Sequence, residues 1–531
     1  MHHALSITEL VRLIVEQIQI GDPPRLDSDD AIDPQTLAKL ARTARVFREP
    51  ALDRLWYRQQ GIGNLVKCMS ISLWEERPTR EDRIVTEWCD CSSYLTFKRP
   101  VVPEDWERFH YYASRIRALD PPDGRVSCVG LAHGVFEALY NARLSSHLLP
   151  NLSTLYWDEG YHSTAFKFGT MFLGPSLTRL AIGVHTIESV PIAALLLAHL
   201  PSLAHRVRKI DIVMHSEGLI HDFFIPPTTL AALERLESFI YLSDTPLSMT
   251  AFTELSSLPA LTTLRLEASS SWSGSMLVGP PVNMSHPYSF DALRNLEVEG
   301  RSIGSCISAL NISRYPKLRA VMFDVDLGTS DTIQGLFEAL SASSSCTELQ
   351  RITFGVRCAY GGTRLDISLL RPVYDFHNLR SLILTPLFGV KLNINDRDLE
   401  NMGIAWPYLD TMVFDYFPRS PSEVEPSATL KGLLLVARSW PALRRLQIEI
   451  DARQIDLDKT QQCHGQVVNE CLREIHLCDS PVDGIEPTVV ANFLSSIFPS
   501  VRRIETYAKQ GESRWKMVEE ILCSPCGHPV T

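Results

Sequence analysis

Apolar residues in this chain recur in one spacing, L-x-x-L-x-L with aliphatic or aromatic substitutes. It reads in "PNLSTLYWD" (150–158), "PSLTRLAIG" (175–183), "PALTTLRLE" (259–267), "DALRNLEVE" (291–299), "PKLRAVMFD" (316–324), "HNLRSLILT" (377–385), "PALRRLQIE" (441–449) and "PSVRRIETY" (499–507). The first apolar position of successive late copies falls at 318, 349, 379, 409, 443, 472 and 501, giving steps of 31, 30, 30, 34, 29 and 29 residues. Degenerate copies at 206–214 and 233–241 fill the interval before 259. Between copies lie stretches such as "SDTIQGLFEALSA" (330–342), "ATLKGLLLVARSW" (428–440) and "PTVVANFLSSIF" (487–498), with apolar residues one helical turn apart. Proline stands directly ahead of many copies (Pro201, Pro259, Pro316, Pro407, Pro441, Pro499), where it stops a helix and sets an extended backbone. The pattern predicts strand, helix and strand again, with a fixed period.

This period resembles the long, irregular leucine-rich repeats, over residues 115–510. The resemblance implies an α/β solenoid with a parallel inner sheet and outer helices. Such a stack curves with its strands inside, because neighbouring strands sit about 4.8 Å apart while helices need about 8 to 10 Å. The leucines, valines and prolines build the arc, so recognition falls to the strand positions between them. Those are Tyr156 and Asp158, Arg265 and Glu267, Glu297 and Glu299, Asp324 and Asp326, Asp415, Gln447, Glu449 and Asp451, then His476. The carboxylates in this set predict a face that takes a basic segment of a target protein. A merely solvated acidic face is the alternative reading.

The amino-terminal pattern is different. In "LSITELVRLIVEQI" (5–18), Ser6 and Glu9 have capping-box spacing and Leu5 and Leu10 that of a hydrophobic staple. Ile7, Leu10, Val11, Ile14 and Ile18 recur at helical spacing, leaving Leu13 and Val15 off the stripe. After the acidic loop "GDPPRLDSDDAID", Asp33 and Pro34 predict an N-cap and first residue, with Leu37, Leu40, Ala41, Ala44 and Phe47 as the apolar side. A short helix from Pro50 carries Leu52, Leu55 and Trp56. Three small helices cannot bury so many large side chains among themselves, so the surplus requires a partner.

On Leu5, Glu9, Leu10, Ile14, Leu37, Leu40, Phe47, Leu52 and Trp56 this segment resembles the F-box. Thr8 stands where most members have proline, and the acidic loop is longer than theirs. An F-box followed by leucine-rich repeats is similar to the substrate receptors of SCF ubiquitin ligases, of the type expanded in basidiomycete fungi. The resemblance implies that Leu5, Ile7, Leu10, Ile14, Leu37, Leu40, Phe47 and Trp56 meet a Skp-family adaptor and, through it, a cullin. Some of the same side chains would instead hold the three helices together. The implied domains are an F-box at 1–60, a linker and cap at 61–114, repeats at 115–510 and a C-terminal tail at 511–531. A scaffold that uses the same two surfaces without degradation is the alternative function.

Composition narrows this further. The 531 residues are 45% hydrophobic and 21% charged, with a formal net charge of −11, which argues against a phosphate-backbone binder. The longest apolar run, "PIAALLLAHLP" (191–201), is too short to span a bilayer, so the expected location is cytoplasm or nucleus, with no membrane partner. Twelve cysteines show no disulfide framework. Phosphate-loop, nucleophile-elbow and H-E-x-x-H motifs are absent, and Cys523, Cys526 and His528 lack a fourth ligand for zinc. Neither catalysis nor a cofactor is expected.

Overall fold

The computed structural model describes residues 7–17, 34–78, 93–120, 130–162, 165–214, 225–226, 228–243, 247–268, 288–300, 303–325, 330–356, 364–386, 391–415, 426–453, 468–507 and 514–523. The chain divides into two compact units, Met1–Leu242 and Ser243–Thr531.

The first unit opens with α1 (Thr8–Glu16), α2 (Pro34–Thr43) and α3 (Arg45–Tyr57), with α1 and α2 both packed on α3. A break at Ala44, whose backbone is extended, separates the last two helices. Pro50 lies inside α3, not at its start as the sequence had suggested. α3 runs directly into a parallel ladder of β1 (Arg58–Gln59), β2 (Ala118–Leu119), β3 (Thr154–Asp158), β4 (Arg179–Val184), β5 (Lys209–Met214) and β6 (Ser238–Leu242). The sheet therefore starts within the segment assigned to the F-box, before the first copy legible in the sequence. Between β1 and β2 lie an antiparallel pair, Trp74–Pro78 with Ser93–Phe97, and α4 (Trp106–Ala113). α5 (His133–Ala142) follows β2, and α6 (Val190–Ala198) lies between β4 and β5. Both degenerate copies form strands: Ile210 and Ile212 in β5 and Phe239 and Tyr241 in β6 are buried.

Contacts between α3 and α4 tie the helices to this ladder. Trp56 stacks on Tyr112 with ring centroids 4.7 Å apart. The Arg115 guanidinium reaches both Glu49 and Asp53 and lies 4.6 Å over the Tyr111 ring, while the Tyr111 hydroxyl donates to Glu49 at 3.1 Å.

The second unit contains α7 (Met249–Ser257), β7 (Thr263–Ala268), β8 (Asn295–Gly300), α8 (Ile303–Asn311), β9 (Ala320–Val325), α9 (Ser330–Ser343), β10 (Arg351–Val356), β11 (Ser381–Pro386), α10 (Asp396–Ala405), β12 (Thr411–Phe414), α11 (Leu430–Ser439), β13 (Arg445–Gln447), β14 (Glu474–His476), α12 (Pro487–Ile497), β15 (Arg503–Glu505) and α13 (Arg514–Cys523). Strands β7 to β15 pair in parallel in chain order. The three apolar positions of each copy are its core: Leu318, Val321 and Phe323, or Leu379, Leu382 and Leu384, are buried. The repeats are thus leucine-rich-repeat-like in construction, each unable to bury its apolar side without a neighbour.

An aromatic residue ahead of the proline forms a second core line. Trp406 and Trp440 end α10 and α11 and are completely buried. The Trp406 indole Nε1 donates to the Val373 carbonyl at 3.1 Å, and Trp440 Nε1 to the Trp406 carbonyl at 2.8 Å. Asn469 carries the line on by donating to the Trp440 carbonyl at 2.7 Å. Each bond joins one repeat to the next.

Part of the segment expected to be a tail (511–531) is helix α13. It buries Trp515, Val518 and Leu522 against the last repeat, and Trp515 Nε1 donates to the Ser480 carbonyl at 2.8 Å. Cys523 is exposed, while Cys526 and His528 lie outside the described residues.

Candidate interaction surfaces

Helix α1 has two apolar sides, and only one is covered. Val11 and Val15 are buried, whereas Ile7, Leu10, Leu13 and Ile14 are 43%, 39%, 54% and 46% exposed. The division differs from the one the spacing predicts: Val15, off the stripe, faces the core together with Val11, while Ile7, Leu10 and Ile14 of the stripe face solvent. The capping box is corrected as well. Ile7 is the N-cap, and no side chain caps the helix there. Leu5, Ser6 and Ile18 lie outside the described residues.

Of the other residues assigned to adaptor binding, Leu37 is completely buried and Trp56 is covered where it stacks on Tyr112. Both belong to the chain's own core. Leu40 and Phe47 are half-buried. The side chains α1 presents outward are therefore Ile7, Leu10, Ile14 and Leu13, and the sequence had not singled out the last of these as a contact.

The outward positions of the strand ladder in the second unit fall into rows by register. Across the middle of the strands run Arg265, Glu297, Met322, Thr353, Ile383, Val413, Gln447, His476 and Glu505. Toward the strand ends run Glu267, Glu299, Asp324, Gly355 and Thr385. Carboxylates thus concentrate on β7 to β9; the rows turn apolar and hydroxylated over β10 to β12, and the middle row is polar again from β13 to β15. Arg265 pairs with Glu299 and approaches Glu297 at 3.6 Å, so this part of the face carries its own counter-charge.

Two proposed target contacts are repositioned, and a third falls outside the described residues. Asp158 is buried: its carboxylate accepts from the amide of Gly160 at 2.7 Å, pairs with His185 Nε2 at 3.0 Å and accepts from the Tyr156 hydroxyl at 3.1 Å. It lies across Gly183 of β4, where any Cβ would collide with it. Asp451 lies beyond the ladder, bridged to Thr429 at the N-cap of α11, and Arg453 beside it holds its carboxyl below the usual range. Asp326 lies outside the described residues. Tyr156, Glu449 and Asp415 are half-buried.

Asp415 belongs to a polar knot the sequence did not show. It accepts from Gln447 Nε2 at 2.8 Å and from the Tyr507 hydroxyl, while Gln447 also donates to Tyr507 at 3.0 Å. Burial, then the bond to Asp415, pushes the Tyr507 hydroxyl pKa up. Burial pushes His476 down and so favours the neutral ring. Its Nδ1 accepts from the Cys478 amide at 3.3 Å, so the neutral ring is assigned its proton on Nε2. Cys478 is buried with φ of 51°, and desolvation raises its thiol pKa, the opposite of a reactive cysteine. The knot ties the ends of β12, β13 and β15 together through side-chain hydrogen bonds.

No family model matches the chain, and no curated protein matches it. A solved structure similar to it is the leucine-rich-repeat ectodomain of the plant membrane receptor kinase GASSHO1/SCHENGEN3 from Arabidopsis thaliana, in complex with CASPARIAN STRIP INTEGRITY FACTOR 2. The identity is 11%, the match covers 75% of this chain and 45% of that one, and the TM-score is 0.26. The chain spans less than half of that ectodomain, and the superposition is too loose to carry a residue across. Among the described residues no helix is long and apolar enough to cross a membrane, and no group of His, Cys, Asp and Glu is arranged to hold a metal.

Proposed function

We propose that this chain is a non-catalytic recognition subunit of an SCF-type ubiquitin ligase. Helix α1 docks on a Skp-family adaptor, and the outward strand face takes a target protein. The observation that carries the reading is α1 itself, with Ile7, Leu10, Leu13 and Ile14 in solvent while Val11 and Val15 on its other side are sealed. A protein rarely leaves four large aliphatic side chains together on one short helix unless another surface covers them. The residue pattern shared with the F-box names the partner class. The continuous register of the ladder supports the second half, since it offers a broad surface with side chains at fixed spacing.

Ile14→Asp tests the adaptor half. The side chain is exposed, so the variant is expected to fold with an unchanged melting temperature and to capture a purified Skp-family adaptor at least about tenfold more weakly, a loss of about 1.4 kcal/mol. Equal capture by the variant would remove the adaptor reading. If the adaptor binds but the half-lives of proteins bound to the strand face do not change with it, the scaffold alternative takes its place.

A further inference from the structure

One position of the repeat is neither core nor part of the outward rows. It lies immediately after the first leucine, just ahead of the strand, and in the second unit it is arginine six times: Arg294, Arg319, Arg380, Arg444, Arg473 and Arg502. All six are exposed. Backbone bonds align them in one column. The Arg319 amide donates to the Arg294 carbonyl at 2.8 Å, Gln350 to Arg319 at 2.9 Å, Arg380 to Gln350 at 2.8 Å, Asp410 to Arg380 at 2.8 Å and Arg444 to Asp410 at 2.7 Å. The pairing of Arg445 with Glu474 sets Arg473 beside Arg444, and Arg502 donates to the Arg473 carbonyl at 3.0 Å. Gln350 and Asp410 are the two interruptions.

Counter-charge along this edge is partial: Asp410 stands in the column and Glu348 and Glu474 beside it, against six arginines. Arg319 comes within 3.6 Å of Glu348, and Arg502 donates to the Pro499 and Val501 carbonyls. Arg294, Arg380, Arg444 and Arg473 have no carboxylate at ion-pair distance among the described residues. In a chain of net charge −11, a row of cations kept along one edge needs a reason beyond solubility. The guanidinium also matches carboxylate oxygens in a two-point fork that lysine does not offer.

We propose that this arginine edge of the second unit binds an extended acidic segment of a protein partner. From Arg294 to Arg502 the column crosses eight strands, about 34 Å, the reach of about ten extended residues. The positions beside it are Asn295, Ala320, Arg351, Ser381, Thr411, Arg445, Glu474 and Arg503, none of them an aromatic ring on which a nucleic-acid base would stack. This surface is separate from α1, so the inference survives a failure of the adaptor reading.

The test is fluorescence anisotropy of the full chain with a labelled oligoglutamate of about ten residues at low salt, where exposed charge pairs are least screened. Two double variants, R444E/R473E and R294E/R380E, alter only exposed side chains, and circular dichroism verifies their fold. Each is expected to weaken oligoglutamate binding at least about tenfold, while Ile14→Asp leaves it unchanged. Undetectable binding by the unaltered chain, or binding unmoved by both variants, overturns the proposal. So does an oligothymidylate of equal length that binds as tightly as oligoglutamate and is lost in the same variants.

Discussion

Asp105 illustrates how much one buried carboxylate does at the start of α4. Arg99 grips it with both terminal nitrogens at 2.7 Å, and the Val102 amide donates to it at 3.0 Å. The hydrogen bonds from Arg99 hold its pKa below the ordinary carboxylate value. A depressed folded-state pKa means stability that is present above the unfolded value, about 3.9, and lost as pH falls through the folded one. Asp105→Asn is therefore expected to cost about 1 to 2 kcal/mol at neutral pH, toward the lower end because Arg99 meets solvent. The difference from the unaltered chain should shrink as pH falls below about 4, where Asp105 of the unfolded chain takes up its proton first and the folded one follows at lower pH. Urea unfolding midpoints at neutral and acid pH check this; a gap independent of pH would show that the ion pair contributes nothing. Residues of this kind were invisible in the sequence, because a carboxylate's partner depends on which backbone is brought beside it. The same holds for Asp158. Its alternation places it outward, yet the absence of a side chain at Gly183 on the next strand lets it fold down over β4. Leucines were legible for the opposite reason: burial on a ladder is set by strand period alone.

Elements were read correctly where their period was strong and wrongly where two periods competed. In α1, residues 7, 10 and 14 and residues 11 and 15 both satisfy helical spacing, and only the packing of α1 on α3 decides which set is sealed. At the helix ends of the late repeats proline marks the stop, and the aromatic residue before it, Trp406 or Trp440, binds successive repeats through its indole N–H. Trp440→Phe keeps most of the ring and deletes the donor to the Trp406 carbonyl, so a loss of about 1 to 2 kcal/mol is expected. Trp440→Ala adds a cavity and should cost about 3 to 5 kcal/mol. Thermal unfolding of the pair separates the hydrogen bond from the packing; equal losses would mean that the indole N–H is incidental. Helix α13 escaped the sequence reading because it follows the last copy, outside the period. Its buried Trp515, Val518 and Leu522 give it the place of an end cap, covering apolar surface that a further repeat would otherwise take.

At the scale of the whole repeat unit, the surfaces depend on a property that no single element has. Each of the nine ladder strands described in the second unit pairs only with its neighbours, and apart from the knot of Asp415, Gln447 and Tyr507 near its end, stability is expected to add along the ladder as local terms plus nearest-neighbour terms. The outward rows and the arginine column stay in register only while the strands between them stay paired. Leu382, near the start of β11 and completely buried, is the place to test this. Leu382→Ala removes core packing shared by β10 and β12 and should cost about 2 to 5 kcal/mol. If the ladder is quasi-one-dimensional, amide hydrogen exchange in the variant rises most in β10, β11 and β12 and falls back to unaltered rates toward β7 and β15. Uniform acceleration over all nine strands would instead mean one cooperative core. The outcome also bears on binding. A local defect at β11 leaves the carboxylates of β7 to β9 and the arginines ahead of β13 to β15 intact as separate patches, but out of register with one another. A short acidic peptide that engages only the last three arginines should then bind as before, whereas one long enough to cross β11 should bind more weakly.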